Sequence, residues 1–130
     1  MQTRNIHQSI LIDAPVSKVY GALTSPTRMA RITGARYVIS TKPGSRFSAW
    51  DDDINGFTLR AERNARLVQA WHGDDWPTGH YSIADFQLRK AGRGTRLSFH
   101  QYGVPATHAG RIALGWKLFY WEPLKAALAA

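Results

Sequence analysis

The sequence ATHAGRIALGWKLFYWEPLKAALAA, residues 106–130, decides the fold. Its apolar positions recur at helical spacing, and they are Ile112, Trp116, Phe119, Tyr120, Pro123 and Ala127. This spacing predicts one helix over residues 108–128, about 30 Å long. A kink is expected at Pro123, because proline cannot donate a hydrogen bond to the carbonyl of Phe119. A helix this long with one apolar face must pack against a surface of similar size.

The chain before this helix supplies that surface as β-strands. Apolar and polar residues alternate, and turn sequences such as KPGS and KAGRG separate the alternating segments. The pattern predicts seven strands, at residues 4–12, 35–40, 46–50, 57–62, 66–72, 80–89 and 95–103. Most of them follow one another as antiparallel hairpins, so we expect a single sheet.

Two short helices separate the first strand from the others. Asp13 can cap the first helix and Pro15 suits its first turn. Ser25 and Pro26 mark the start of the second helix, and Gly34 marks its end. The order of elements therefore predicts an α+β protein with the helix-grip fold, in which a curved antiparallel sheet of about seven strands wraps around a long C-terminal helix.

Length and composition bound the class of protein. A chain of 130 residues is a single domain, residues 1–130. The absence of cysteine excludes a disulfide framework and a thiol nucleophile, and it fits a reducing compartment. No apolar stretch has the length of a membrane span or a signal peptide, so we expect a cytoplasmic protein. The net charge of +8 raises nucleic acid as a partner, but the basic residues are scattered and this is the weaker expectation.

The segment QAWHGDDWPTGHYS, residues 69–82, has the residue types of a metal site. His72 and His80 could face each other across a hairpin, with Asp74 and Asp75 in the loop above them, and two histidines with a carboxylate can bind iron or zinc. The simpler interpretation is a polar loop, because Asp and Gly are common turn formers. We predict no metal site here. His7 and His100 are expected to be neighbours, because the first and last strands pair in this fold.

Several segments, taken in order, resemble a known superfamily over nearly the whole chain. They are IDAPVSKVYGALTSP, PGSRFSAWDDDINGFTL, RLVQAWHGDDWPTGHYS, GTRLSFHQYGVP and GWKLFYWEPL. The chain resembles the START-related lipid-transfer and polyketide-cyclase (SRPBCC) superfamily. More narrowly, it is similar to bacterial homologues of the C-terminal domain of the activator of heat-shock protein 90 ATPase. It departs from that family at Ile32, near which the family usually has a tryptophan.

Strand pairing determines which side chains face the helix. If Ala70 pairs with Ser82 and Phe86 pairs with Leu97, one apolar face is formed, and it consists of Val68, Ala70, Ser82, Ala84, Phe86, Leu97 and Phe99. In that register Trp71 lies on the polar face. A bulge or a slip of one residue would turn Trp71 inward, and the sequence leaves both arrangements open.

The small residues on this face predict a ligand cavity between sheet and helix. The alternative is that the aromatic side chains simply fill the core. The residues predicted to line the cavity are Phe47, Trp50, Val68, Ala70, Trp71, Ser82, Phe86, Phe99, Trp116 and Tyr120.

Three functions stay open at this point. The resemblance favours non-catalytic binding of a small hydrophobic or amphipathic ligand. It also implies an alternative, a protein-interaction domain whose partner is a chaperone or another protein. A cyclase or hydratase is the third, but the predicted inner face offers few groups for acid–base chemistry beyond Ser82, Tyr120 and rim histidines. We therefore predict no catalytic residue and no cofactor. A homodimer is one of the oligomeric states left open.

Overall fold

Residues 1–129, which the computed structural model describes, form six strands and a long C-terminal helix. The strands are β1 (Thr3–Ile12), β2 (Arg46–Ala49), β3 (Ile54–Glu62), β4 (Arg66–Gly73), β5 (Ser82–Ala91) and β6 (Gly94–Pro105). They make one antiparallel sheet in the order β1-β6-β5-β4-β3-β2. Helices α1 (Val16–Leu23) and α2 (Pro26–Thr33) follow β1. The predicted α+β helix-grip architecture is confirmed.

The predicted seventh strand, residues 35–40, is wrong. Within the described residues this segment contributes one isolated bridge, between Val38 and Ser48. Its alternating pattern has a different origin, because Tyr37 and Ile39 insert into the core from an extended segment. Beyond this bridge, the carbonyl of Ser40 accepts a hydrogen bond from the Thr58 hydroxyl of β3 at 2.7 Å, which also attaches the segment to the sheet.

The short helices show one predicted cap and lack another. In α2, the Ser25 side chain accepts a hydrogen bond from the Arg28 N–H, and Gly34 ends the helix with a left-handed φ of 75°. In α1 the N-cap residue is Pro15, and no side chain caps the helix. The expected capping role of Asp13 is therefore wrong.

The C-terminal helix is interrupted before its proline. It consists of α3 (Ala106–Trp116), a π-helical segment (Lys117–Trp121) and α4 (Glu122–Leu128). The N–H of Glu122 donates to the carbonyl of Lys117, five residues earlier. Pro123 has no N–H to donate to the carbonyl of Phe119, so one α-helical hydrogen bond is missing. The wider π turn, which ends two residues before Pro123, accommodates this gap. The irregularity expected at Pro123 thus takes the form of a π segment.

The register of β4 against β5 differs from the prediction by one residue. Leu67 pairs with Phe86, and Trp71 pairs with Ser82. Partners in an antiparallel pair share a face, so this slip turns Trp71 toward the helix and turns Val68 and Ala70 away from it. In the next hairpin Phe86 pairs with Phe99 and not with Leu97, a shift of two residues that preserves the faces.

The space between the sheet and the helix is filled around Trp116. Its ring centroid lies 4.3 Å from that of Phe99 and 5.7 Å from that of Phe86. On the helix, Tyr120 lies 4.3 Å from it and Trp121 5.4 Å. These aromatic side chains are buried, so the helix is in direct contact with the concave face of the sheet.

A chain of buried hydrogen bonds crosses the same interface. The Trp116 indole N–H donates to the Gln101 carbonyl oxygen at 2.7 Å, and the Gln101 amide donates to the Ser82 hydroxyl at 2.9 Å. The Ser82 hydroxyl donates to the Trp71 backbone carbonyl at 3.2 Å. The chain therefore links the helix to three successive strands.

We expect this chain to contribute cooperatively to stability. In Gln101→Leu the Trp116 N–H loses its acceptor in a buried site, and the free energy of unfolding should fall by about 2 kcal/mol. Trp116→Phe removes the donor itself. The double variant should lose about 1 kcal/mol less free energy of unfolding than the sum of the losses in the two single variants. Urea denaturation of all four proteins measures this difference.

The chain offers a matched pair as a control for this cycle. The Trp121 N–H donates to the Gln8 side chain at 2.6 Å, and Gln8 is partly exposed, unlike the buried Gln101. Gln8→Leu with Trp121→Phe should show weaker coupling, because water replaces a lost partner there. Additive effects at Gln101 and Trp116 would contradict the assigned hydrogen bond.

Candidate functional site

An open groove lies where the first half of the C-terminal helix passes the end of the β3–β4 hairpin. Its volume is about 430 Å³. The walls are mostly apolar and carry acidic side chains at the mouth. The lining residues are Trp50, Asp53, Ile54, Trp71, Gly73, Asp74, Asp75, Trp76, Arg111, Ile112, Gly115, Trp116 and Phe119.

One wall is set by an unusual turn between β2 and β3. Trp50, Asp51 and Asp52 have φ values of 55°, 55° and 75°, in the left-handed region that non-glycine residues seldom adopt. The Arg36 N–H donates to the Asp51 carboxylate at 2.8 Å and holds this turn in place. The turn directs Trp50 toward the helix, where its ring centroid is 5.9 Å from that of Phe119. Strained backbone of this kind concentrates at functional sites.

The base of the groove is built from two tryptophans and a glycine of β4 and the loop after it. Trp76 turns back from the loop and packs on Gly73, where a Cβ atom would lie 2.6 Å from the indole nitrogen. The Trp76 ring centroid is 5.4 Å from that of Trp71. Trp71 is 5% exposed, and its indole N–H has no hydrogen-bond partner among the described residues. An unpaired buried donor of this kind is rare in proteins.

The mouth of the groove is acidic. The Arg111 guanidinium donates to the Asp75 carboxylate at 3.0 Å, and His108 Nε2 lies 3.3 Å from the same carboxylate. The hydrogen bond from Arg111 holds the pKa of Asp75 below its ordinary value, so this carboxylate is ionised at neutral pH. Asp53 and Asp74 lie beside it and are exposed, and the Asp74 N–H donates to the Asp53 carbonyl at 2.9 Å.

The structure places the ten predicted cavity residues in three groups. Trp50, Trp71 and Trp116 line the groove. Five others are buried in the core around it, and these are Phe47, Ser82, Phe86, Phe99 and Tyr120. Val68 and Ala70 lie on the outer face of the sheet, because the predicted register was wrong by one residue. Their placement on the inner face is therefore corrected.

Most of the groove residues were absent from the sequence-based set, and among them are the large apolar side chains of Trp76, Ile112 and Phe119. Trp76 was assigned to a polar loop, although a tryptophan in such a loop is itself a signal of burial. Ile112 and Phe119 are seven residues apart on the helix, and Gly115 between them leaves the groove open. The helical spacing marked both as apolar positions, but only the structure shows that they border a groove.

The histidines of the segment 69–82 hydrogen-bond to backbone groups. His72 Nδ1 donates to the His80 carbonyl at 2.6 Å, and His80 Nε2 donates to the Gly103 carbonyl at 2.7 Å. Within residues 1–129, no group of three or more His, Asp or Glu side chains is placed to hold a metal ion. The expected contact between His7 and His100 is confirmed, with the two Nδ1 atoms 2.6 Å apart.

The buried polar groups of the inner face are neutral. They are Thr58, Gln69, Ser82, Thr95 and Gln101, and none of these side chains ionises near neutral pH. Burial raises the pKa of the Tyr120 hydroxyl, so it stays protonated. The Ser82 hydroxyl is engaged in the buried hydrogen-bond chain, away from any histidine contact. The charged side chains that a bound molecule would meet are those that line the groove, namely Asp53, Asp74, Asp75 and Arg111.

No helix within the described residues is both long and apolar enough to cross a membrane.

Comparison with known proteins adds two sequence relatives. An uncharacterized protein of Schizosaccharomyces pombe is 29% identical over 125 residues, 96% of this chain. The mouse activator of 90 kDa heat shock protein ATPase homolog 2 is 23% identical over 123 residues, 95% of this chain. The chain spans 37% of the length of each relative.

Solved structures share the fold. An HSP90 activator from Plasmodium falciparum superposes with a TM-score of 0.88 at 19% identity, covering 95% of both chains. The Aha1 dimer from Colwellia psychrerythraea gives a TM-score of 0.83 at 20% identity, covering 97% of this chain and 96% of that one. CalU16 from Micromonospora echinospora gives 0.81 at 23% identity, covering 98% and 77%.

The match to a family model settles the classification that these likenesses suggest. The model described as "Activator of Hsp90 ATPase homolog 1-like protein" matches residues 13–129, which include both short helices, five of the six strands and the C-terminal helix. The resemblance drawn from the sequence segments is thereby confirmed, and the chain belongs to the Activator of Hsp90 ATPase homolog 1-like family.

Proposed function

We propose that the chain binds a small apolar or amphipathic molecule in the open groove, without catalysing a reaction. The observation that carries the proposal is the groove itself, about 430 Å³ in volume and lined by four tryptophans and a phenylalanine. Sites for small molecules have volumes of about 300–1,000 Å³ and mostly apolar walls with a few polar groups. This position replaces the closed cavity expected from the sequence, because the centre of the sheet–helix interface is filled by side chains.

The walls of the groove gain from being covered. Phe119 is 57% exposed although it lies against Trp50, and Ile112 is partly exposed beside it. Burying apolar surface of this kind is favourable by about 25 cal/mol per Å². The Trp71 N–H provides a donor without a partner, which an acceptor atom of a ligand would satisfy after a small movement of the ring.

A dye-binding experiment tests this function. Prodan, a neutral naphthalene dye whose emission shifts in apolar surroundings, should bind the wild-type protein with a blue-shifted emission. Phe119→Ser removes one wall of the groove and should weaken binding about tenfold, equivalent to a loss of about 1.4 kcal/mol. Fluorescence titration measures the dissociation constant.

Leu114 provides the matched control. It is 56% exposed on the same helix and does not line the groove, so Leu114→Ser removes a similar exposed apolar surface elsewhere. Binding of Prodan to that variant should be unchanged. Equal weakening in the two variants, or no binding to the wild type, would refute a ligand site in the groove.

A second candidate is docking to a chaperone of the 90-kDa heat-shock class. Relatives are named as activators of that ATPase, and the outer face of the sheet has the charge to meet an acidic partner. Five arginines outnumber two carboxylates on this face, and the residues are Arg46, Arg60, Arg66, Arg89 and Arg96 with Glu62 and Asp85. Phe57 and Tyr102 are exposed beside them. We extend this candidate to a cytoplasmic location, which agrees with a sequence that lacks cysteine.

Binding to the chaperone from the same organism tests this candidate. Replacing Arg60, Arg89 and Arg96 together by glutamine should weaken the complex about tenfold at low salt, because three exposed ion pairs are lost. Both the binding constant and the rate of ATP hydrolysis should be measured at low and high salt, and the wild-type complex should weaken as salt rises.

Three cations outside the sheet provide a control with the same charge. Lys18, Arg31 and Lys125 are exposed on the helices, and their replacement by glutamine should leave most of the affinity intact. Weakening by the same factor in both variants would show attraction by net charge alone. No complex at low salt would refute the docking.

A further inference from the structure

The charge of the groove is opposite to the charge of the protein. The chain carries 17 basic and 9 acidic residues, a net charge of +8. Three of the acidic residues, Asp53, Asp74 and Asp75, line the groove, against one basic residue, Arg111. The net charge of the protein attracts anions, whereas the groove presents three carboxylates. The local field therefore selects against anions and in favour of cations.

Two of these carboxylates are available to a ligand. Asp75 is neutralised by Arg111 and by contact with His108. In contrast, no lysine, arginine or histidine of residues 1–129 places a nitrogen within 4.0 Å of the Asp53 or Asp74 carboxylate. The backbone hydrogen bond between Asp74 and Asp53 keeps the two residues adjacent at the groove mouth. Together they supply an uncompensated negative charge beside an apolar surface.

The aromatic walls are suited to the same kind of ligand. Trp71 lies between Trp76 and Trp116, and its ring centroid is 5.4 Å from that of Trp76 and 5.7 Å from that of Trp116. Trp50 and Phe119 pack edge to face at the rim, with ring centroids 5.9 Å apart. The indole face carries negative electrostatic potential and attracts cations within about 6 Å of the ring. Clusters of aromatic rings beside carboxylates are the usual sites for alkylated ammonium groups, because such cations are large and weakly hydrated.

We propose that the groove selects an organic cation, namely a substituted ammonium group joined to an apolar body. The apolar body packs in the groove against its aromatic wall, and the ammonium group lies at the mouth beside Asp53 and Asp74. Arg111 does not oppose this arrangement, because its charge is already paired with Asp75. The inference rests on the proposed ligand function of the groove and deepens it by naming the class of ligand.

Three probes of similar shape separate charge from hydrophobicity. Phenyltrimethylammonium and tert-butylbenzene differ only in the replacement of N⁺ by carbon, and benzenesulfonate carries the opposite charge. Tryptophan fluorescence or calorimetric titration should show that the cation binds about tenfold more tightly than its neutral isostere, as expected for a cation–π contact with a nearby carboxylate. Benzenesulfonate should bind more weakly than either. The preference for the cation should decrease with salt, because the carboxylates at the mouth are exposed.

Variants of the carboxylates complete the test. Asp53→Asn with Asp74→Asn should reduce the affinity for phenyltrimethylammonium about fivefold and leave tert-butylbenzene binding unchanged, since only the charge is removed. Asp13→Asn, an exposed carboxylate outside the groove, should change neither affinity.

The outcomes distinguish the inference from the function on which it rests. Equal binding of the cation and its neutral isostere would overturn the selectivity for cations and leave the groove as a ligand site. Failure of all three probes, together with failure of Prodan, would overturn the ligand site itself. A loss of cation-binding free energy in Asp13→Asn that is half of the loss in the double variant or more would assign the effect to net charge, because the control removes one charge and the double variant removes two. That result would overturn the role of the groove carboxylates.

Discussion

The contact on which the rest of the structure depends is that of the Trp116 indole with the sheet. Its ring packs on Phe99 at 4.3 Å, and its N–H donates to Gln101 at 2.7 Å. Apolar burial is non-directional, so it would hold the helix on the sheet in many rotations. The buried hydrogen bond restricts the helix to one rotation, because any other rotation would leave the indole N–H unpaired at a cost of about 1–3 kcal/mol. This single point therefore sets both the rotation and the position of the helix.

With Trp116 fixed, the π-helical segment determines what the helix presents on either side. In an α-helix each residue advances by about 100°, so Trp121 would lie about 140° from Trp116 around the axis. The wider π turn brings Trp121 closer to the side of the helix on which Trp116 lies. As a result, both Tyr120 and Trp121 are buried. Phe119 is consequently left at the rim of the groove. Pro123, which cannot support a regular α turn, thus contributes to the shape of a site one turn away from it.

The parts of the fold that could be predicted are those determined by local chemistry. Ser25 caps the start of a helix and Gly34 ends it, for reasons contained in a few residues. The order of elements brings His7 next to His100. The β4–β5 register could not be derived, because residues 74–81 form a loop without the fixed geometry of a two-residue turn. Trp71 and Ala70 were both plausible inward residues, and only packing against Trp116 decides between them. The groove depends on the inward position of Trp71, so its residues could be predicted only in part.

The residues of the groove divide according to how much of the fold depends on them. Trp71 and Trp76 form its base and also belong to the hydrophobic core, so a change there alters stability together with any binding. Asp53, Asp74 and Phe119 at the rim are exposed and make few contacts that the fold requires. Rim residues can therefore change without disturbing the fold. Membership of a family specifies the architecture, whereas the chemistry of a ligand must be inferred from the charge and shape of the site.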